Sequence, residues 1–349
     1  MEKYFISKLQ PLLEVVADKM ALYVPCKTGE HYVFKSYDPS SGIEFELNDI
    51  RTCTPVKEFL FPLRELVATF ADSVEMPPGE AFALFGLKDC DIVSIEILDK
   101  VFLEPDCIDP FYAKRRENVF LITTDCSDLQ ATCFCNLFGG KTFCDHGFDL
   151  NVSKIGDGFI VEAGSSKGRK LLEEHKGIFA NVPNIALEER EKNRAKAQKQ
   201  LEQNNEKFKF DASVNEIVEN TQDSEAFDEQ ADRCVECQAC TRVCPTCHCF
   251  YLYDDNRDKY MNRMKMWDSC LRRDYTKVAG GANPRKILGD RLKHRFMHKF
   301  SYFLERYGID MCVGCGRCID ADVGGIDIRE VLKKLNQELS EKPKTKATK

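Results

Sequence analysis

The chain has 349 residues, of which 43% are hydrophobic and 31% charged, and its formal net charge is -7. This size allows two or three domains, and the excess of acidic residues argues against a large nucleic-acid surface. No apolar run approaches the ~20 residues that cross a membrane, so no direct membrane insertion is expected. The sequence opens without a basic and then apolar leader, so its 18 cysteines are expected to stay reduced in the cytoplasm.

The first half of the chain is predicted to form an α/β domain over residues 1–183. Apolar residues at helical spacing alternate there with short apolar runs typical of strands. Helices are predicted over 9–20, 59–70 and 92–102, and strands over 81–87, 119–123, 148–152 and 159–163. Asp89 or Asp91 is expected to cap the third helix, and a turn at 156–158 to close a hairpin.

A charged segment, residues 184–225, follows this domain and is predicted to be a helical linker. Residues 186–209 carry both signs of charge and almost no apolar face, which favours a solvated helix between two domains over a binding surface. Apolar residues at helical spacing near Val214 continue the chain as a short helix. Residues 333–349 are predicted to end this part of the protein in a helix end and a Lys-rich, flexible tail.

Two runs of cysteines dominate the second half. The first has the spacing C-x2-C-x2-C-x3-C-P, and the second repeats its first three positions; the cysteines are Cys234, Cys237, Cys240 and Cys244, then Cys312, Cys315 and Cys318. These spacings are typical of iron–sulfur proteins, whereas structural zinc sites use two separated pairs of ligands. Residues 226–332 are therefore predicted to form a mostly helical, two-cluster ferredoxin-type domain, which gives the whole chain an α+β fold.

The ferredoxin pattern assigns the ligands of two clusters. Each run donates three thiolates to one cluster and its fourth ligand to the other. Cluster B then uses Cys312, Cys315, Cys318 and Cys244, and cluster A uses Cys234, Cys237 and Cys240. The fourth ligand of cluster A falls on Asp322. Asp322 itself could bind, Cys247, Cys249 or Cys270 could replace it, or the cluster could contain three irons.

Four upstream cysteines form a further candidate site. Cys90, Cys126, Cys133 and Cys135 follow predicted strands or lie in turns, where α/β folds place their functional groups. They could hold a third four-iron cluster. Buried, unliganded cysteines are the alternative, because C-x-C is a less diagnostic spacing than C-x2-C.

The long insertion between Cys244 and Cys312 is predicted to be helical. Pro284 is expected in the first turn of a helix whose apolar stripe continues to Tyr307. The remaining face is basic and includes Arg291, Lys293, His294, Arg295, His298 and Lys299. This face is either a solvated surface or a cationic wall that raises the potential of nearby clusters. The two histidines are expected to be ordinary surface residues.

Several longer motifs resemble one known family. They are Cys244-Pro245-Thr246-Cys247-His248-Cys249, Trp267-Asp268-Ser269-Cys270, Cys312-Val313-Gly314-Cys315-Gly316-Arg317-Cys318 and, upstream, Phe85-Gly86-Leu87, Cys90-Asp91 and Cys133-Phe134-Cys135. The chain thereby resembles the four-iron dicluster electron-transfer proteins that serve cytoplasmic nickel–iron sulfhydrogenases, as their β subunit, and anaerobic sulfite reductase.

The resemblance implies an electron-transfer subunit of an anaerobic complex. Its partners would be a FAD/[2Fe-2S] subunit that handles NAD(P)H and a catalytic or further relay subunit. It also implies that Cys90, Cys126, Cys133 and Cys135 are cluster ligands, which makes two or three [4Fe-4S] clusters. Asp322 departs from the family pattern, so cluster A is expected to be Asp-ligated or [3Fe-4S].

Two functions remain open from the sequence. The first is an electron relay that has no substrate site of its own. The second is a catalytic sulfur or disulfide reductase that acts at an incompletely thiolate-ligated cluster. A dinucleotide-binding loop is not indicated, because Gly139-Gly140 lacks the G-x-G-x-x-G spacing after a strand.

Overall fold

A computed structural model describes residues 2–41, 47–70, 79–256 and 261–342. Within these ranges the strands are β1 (Lys3–Ile6), β2 (Ala21–Thr28), β3 (His31–Ser36), β4 (Arg64–Thr69), β5 (Phe82–Leu87), β6 (Val119–Thr124), β7 (Leu150–Ile155), β8 (Gly158–Ala163), β9 (Phe250–Asp255) and β10 (Asn262–Trp267). The helices are α1 (Gln10–Ala17), α2 (Lys57–Leu60), α3 (Asp89–Phe102), α4 (Pro110–Asn118), α5 (Ser166–Glu174), α6 (Asn184–Asn204), α7 (Val214–Asn220), α8 (Ala226–Arg233), α9 (Ala239–Arg242), α10 (Leu288–Met297), α11 (Phe303–Tyr307), α12 (Arg317–Asp320) and α13 (Ile328–Glu341). The predicted tail beyond residue 342 lies outside the described residues.

Seven strands of the first half form one mixed sheet in the order β1-β8-β7-β6-β5-β2-β3. Strands β2, β5, β6 and β7 pair in parallel, and antiparallel strands close both edges. The central strands β5 and β6 are apolar and buried nearly throughout, as expected for parallel strands covered on both faces. The predicted hairpin at 156–158 is present between β7 and β8.

Helices cover both faces of this sheet. On one face α1 and α5 bury apolar side chains such as Leu12 and Leu172. On the other face α3 and α4 contribute Ile95, Leu98 and Tyr112 to a second core. Strands β5 and β6 pair in parallel, so both end at the same sheet edge, where the residues that follow them meet.

The predicted helix over 59–70 is wrong beyond its first turn. Helix α2 ends at Leu60, just before Pro62, and residues 64–69 form strand β4. This strand pairs with β10, which pairs with β9, in a three-stranded sheet. Residues from the two halves of the chain thus share one sheet. The helical spacing misled because strand pairing overrides local periodicity.

The start of α3 also differs from the prediction. Lys88, not Asp89 or Asp91, is the residue that precedes the helix, and both acidic residues lie in its first turn. The Asp91 carboxylate accepts a hydrogen bond from the Lys88 backbone N–H at 3.1 Å. The carboxylates therefore stabilise the helix start through its dipole and a capping hydrogen bond.

The insertion between the cysteine runs is only partly helical. Its first part forms the β9–β10 hairpin, and α10 begins at Leu288 rather than near Pro284. A π-helical turn, residues His298–Tyr302, then joins α10 to α11. Together with α7, α8 and α13, these helices enclose a separate apolar core around Phe227, Phe300 and Leu332. The α+β fold class is confirmed, with the large sheet in the first part and most of the later helices around the cysteine runs.

The charged segment is helical as α6, but one side of it is packed. Ala186, Arg190, Ala197 and Leu201 are buried. Arg190 Nη1 donates to Glu162 Oε2 at 2.9 Å, and Arg194 Nε donates to Asp125 Oδ2 at 2.7 Å. The expectation of a fully solvated helix is therefore wrong, because ion pairs attach α6 to the large sheet.

None of the helices in the described ranges combines the length and the apolarity that crossing a bilayer requires.

Candidate metal centres

The four predicted thiols of cluster B line one small cavity, here called site B. Its thiols belong to Cys244, Cys312, Cys315 and Cys318. The loop that carries three of them bends through Gly314 and Gly316, whose φ angles are 61° and 74°. Left-handed backbone of this kind is open to glycine without strain. The tight turns at these glycines therefore direct thiols that are three residues apart in sequence into the cavity of site B.

The four upstream cysteines also line one cavity, here called site C. These cysteines are Cys90, Cys126, Cys133 and Cys135. Cys90 lies in the first turn of α3, after β5, and Cys126 lies directly after β6. Parallel strands that end at one sheet edge thus bring cysteines 36 residues apart in sequence together, in line with the general placement of α/β sites.

Sites B and C are direct neighbours. Cys315 lines both cavities. The Phe134 N–H, between two site C cysteines, donates to the carbonyl of Gly314 at 2.8 Å. A Cβ at Gly314 or Gly316 would overlap the backbone of Phe134 and Cys135, or of Thr132. Glycines are therefore needed both for the turns and for this close approach.

The remaining predicted ligands, Cys234, Cys237, Cys240 and Asp322, are called site A. Burial raises the pKa of the Cys234 thiol, and the nearby Asp322 carboxylate adds to the rise. The carboxylate acts on the pKa of Cys240 in the same direction. Asp322 also accepts a hydrogen bond at Oδ1 from the Ile326 N–H at 3.1 Å. The structure thus brings Asp322 beside two thiols of the first run.

The three alternative ligands of cluster A take part in hydrogen bonds between thiols. A hydrogen bond from the Cys247 thiol holds the pKa of Cys244 well below its ordinary value. Hydrogen bonds from Cys270 and Tyr275 lower the pKa of Cys249 to about 6, although burial opposes them. Neither Cys249 nor Cys270 lines the cavity of site B or C, but both pack beside Cys240.

No three His, Cys, Asp or Glu side chains in the described ranges are arranged to hold a single metal ion.

Buried cations surround the thiols, and the sequence alone did not predict most of them. The side chains concerned are those of Arg51, Lys57, Lys88, Arg295, Lys299 and Arg317, all at most 5% exposed. The alternative of a solvated basic face is wrong for Arg291, Arg295 and Lys299, which are buried. The expectation that His294 and His298 are surface residues is also wrong, since both are half-buried and stack on each other.

Two of these cations have unpaired N–H groups. Within the described part of the chain, Nε and Nη2 of Arg295 and Nη1 of Arg317 are buried and have no hydrogen-bond partner. Burial alone would lower the pKa of Arg295, but the thiolates of Cys240 and Cys318 outweigh it and raise that pKa. Burying a guanidinium without a counter-charge costs several kcal/mol of folding free energy. The arrangement therefore fits thiolates, which are the soft ligands of iron–sulfur clusters.

Comparison with known proteins agrees with this donor set. Residues 233–326 match the 4Fe-4S dicluster domain family. The chain is 34% identical over 329 residues to "Sulfhydrogenase 2 subunit beta" of Pyrococcus furiosus, and the match covers 91% of this chain and 93% of that protein. This chain belongs to the sulfhydrogenase β-subunit family. The family resemblance of the motifs is thereby confirmed, and the protein is an iron–sulfur electron-transfer subunit with [4Fe-4S] chemistry.

Sequence reasoning identified the thiols of this β-subunit homologue and, as one of two alternatives, a cationic wall on the helix before the second cysteine run. It missed the cations that other elements supply. Lys57 donates to the carbonyls of Thr241 and Cys247 at 3.2 and 2.8 Å. Lys88 donates to the carbonyl of Asn48 at 2.7 Å and to Thr124 Oγ1 at 3.0 Å. Isolated basic residues have no diagnostic spacing. Arg317 could have been noticed, because it lies between two cysteines of the second run.

Proposed function

We propose that this chain relays single electrons through three [4Fe-4S] clusters held at sites A, B and C. Such a cluster, when bound, accepts and releases one electron at a potential that its surroundings set. The residues of the chain hold the clusters, exclude water from them and place them in sequence. In this proposal Asp322 is the fourth ligand of site A, and the chain has no substrate site of its own.

The succession of sites is the observation that carries the proposal. Cys244 ends the loop that supplies the thiols of site A, yet it lines the cavity of site B. Cys315 lines both the cavity of site B and that of site C. Cys90, Cys244 and Cys315 also pack in one buried cluster. Clusters held by these residues would have site B between sites A and C, which supports a relay through all three.

The partners are proposed from the family. The name of the Pyrococcus furiosus relative identifies it as one subunit of a sulfhydrogenase. By analogy, this chain would join a FAD/[2Fe-2S] subunit that oxidises NAD(P)H to a catalytic or further relay subunit. Cluster ligands are thiolates, so a reducing compartment such as the cytoplasm of an anaerobe belongs to the same proposal.

Replacing Cys315 with Ala in the purified complex tests the relay. We expect the variant to lose the signal of site B and to transfer electrons from NAD(P)H to the far partner at least ~10-fold more slowly, because the middle step is missing. The flavin should still be reduced by NAD(P)H. Cys107→Ala is the matched control, since Cys107 is exposed and lines neither cavity. Unchanged transfer in Cys315→Ala would contradict the relay.

A second function, sulfur or disulfide reduction at site A, is favoured by one observation. Cys237 is exposed and Asp322 is half-exposed, so a small substrate could reach this site. A catalytic chain should turn over polysulfide with a chemical reductant alone, and Asp322→Cys should abolish that turnover. A relay should show no turnover unless its partner subunits are present.

A further inference from the structure

We propose that Lys299 makes site B the highest-potential cluster of the chain, so that electrons rest there between transfers. The inference depends on the proposed relay, because it concerns the order of potentials among the three sites. Lys299 acts through the sulfur of Cys244 and has no contact with a substrate in this proposal. Its contacts and the charges around each site support this order.

Lys299 forms a buried contact with a site B thiol. Its Nζ lies 3.3 Å from Cys244 Sγ and 3.2 Å from Thr246 Oγ1. Thr246 Oγ1 in turn lies 3.2 Å from Cys244 Sγ. The ammonium can donate to both atoms while the hydroxyl donates to the sulfur. Hydrogen bonds to cluster sulfurs raise the reduction potential, and a charged donor has the stronger effect.

The π-helical turn fixes the position of Lys299. Met311, which directly precedes the second cysteine run, donates its N–H to the Lys299 carbonyl at 3.0 Å. One residue thus holds the start of one cysteine loop through its backbone and the end of the other through its side chain. A π-turn inserted in a helix is frequently found at functional sites, where it redirects a side chain.

Lys299 and Lys57 both lie near Cys244, but they contact different atoms. Lys299 is 2% exposed, and its ammonium lies within hydrogen-bond distance of Cys244 Sγ. The Lys57 ammonium donates to backbone carbonyls instead. Lys299 rather than Lys57 therefore contacts the sulfur of this ligand.

The three sites differ in the balance of their neighbouring charges. Among the described residues, the charged side chains that act most on the Cys244, Cys312 and Cys318 thiols, apart from other thiols, are Lys57, Arg295 and Lys299. All three are cations. At site A the carboxylate of Glu236 acts on Cys234, and that of Asp322 acts on Cys234 and Cys240, alongside the cation Arg295.

Site C also contains carboxylates. Asp91 acts on Cys90, and Asp89 acts on Cys126 and Cys135, alongside the cations Lys88 and Arg317. Reduction adds one negative charge to a cluster, so buried cations favour it and buried carboxylates oppose it. Site B should consequently be reduced first.

A redox titration of the anaerobically loaded chain, followed by electron paramagnetic resonance, tests this order. In Lys299→Met the first signal to appear on reduction should shift to lower potential by at least about 59 mV. This shift corresponds to a tenfold change in the equilibrium constant of a one-electron reduction. The other two signals should shift less. Lys299→Arg should restore most of the difference because it keeps the charge. Lys293→Met, on the preceding helix, is the matched control and should leave all three signals in place.

A second variant protects the test against loss of the cluster. Thr246→Val removes one hydroxyl donor and changes no charge, and it should shift the same signal in the same direction by a smaller amount. If the potential of the first signal is unchanged in both Thr246→Val and iron-loaded Lys299→Met, the inference about Lys299 is overturned. The proposed relay is not affected by that result. Absence of iron and sulfide in the unaltered chain would instead overturn the proposed function itself.

Discussion

At the scale of single residues, Asp322 is the departure that sets site A apart. Its carboxylate lies beside Cys234 and Cys240, and its Oδ1 accepts the Ile326 N–H. Its backbone carbonyl also accepts the Gly325 N–H at 3.2 Å. These bonds fix the residue in a tight turn before α13. A carboxylate is a harder ligand than a thiolate, so it should bind the fourth iron more weakly.

Replacing Asp322 should change site A alone. In Asp322→Cys we expect a tightly held fourth iron and a shifted potential of one cluster, because a thiolate replaces an oxygen ligand. In Asp322→Asn, which keeps the Oδ1 acceptor and removes the charge, we expect loss of about one iron per chain. Iron analysis and low-temperature electron paramagnetic resonance measure both effects. Identical spectra for the two variants and the parent would remove Asp322 from the ligand set.

Residues differ in how far the sequence reveals their role. The thiols of sites A and B could be predicted, because a cluster imposes fixed ligand spacing along a loop. The cations Lys57, Lys88 and Arg51 could not, because each reaches its site through tertiary packing from a distant element. Arg51, for example, donates to the carbonyl of Cys315 and pairs with Asp320 at 2.6 Å. Nothing in its local sequence indicates that contact.

At the scale of elements, the loop from Cys312 to Cys318 joins two sites through its glycines. Gly316 has a φ of 74°, and a Cβ there would overlap the backbone of Thr132. Gly308 has nearly the same φ, 73°, but a Cβ there would meet nothing within 4 Å. Comparing substitutions at the two glycines therefore separates two free-energy costs, that of a side chain on left-handed backbone and that of steric overlap with a neighbouring loop.

Alanine substitutions at these glycines should differ in their effect. Gly308→Ala should destabilise the loaded protein by roughly 1 kcal/mol, the cost of left-handed backbone. Gly316→Ala should cost about 1–3 kcal/mol more, because the loops of sites B and C must move apart. Thermal unfolding under anaerobic conditions, with iron content measured in parallel, gives the comparison. Equal melting temperatures for the two variants would show that the close approach is not needed.

Strands that are buried on both faces could be predicted from the sequence. Elements that form only by pairing with a distant segment of the chain could not. Strands β5 and β6 could be predicted from apolar runs, since parallel strands are covered on both faces. Strand β4 could not, because Leu66 and Phe70 are exposed on a sheet completed by a hairpin almost 200 residues later. Of the two alternatives for the basic side of α10, the solvated surface is wrong, since Arg291 and Arg295 are buried.

At the scale of the whole molecule, three thiol sites follow one another from the edge of the large sheet to the exposed loop of Cys237. The chain is acidic overall, with a formal charge of -7, yet its buried charges near the sites are mostly cationic. This separation is reasonable for a protein that stores added negative charge inside. In the proposed relay, internal cations would stabilise the reduced clusters.

The iron and acid-labile sulfide content of the anaerobically purified chain tests the central claim most directly. Three clusters in series predict about twelve irons and about twelve sulfides per chain. Cys126→Ala should lower both numbers by about four, because it removes a thiol of site C. A colourless protein that contains zinc and no sulfide would contradict the account, as would about eight irons that Cys126→Ala leaves unchanged.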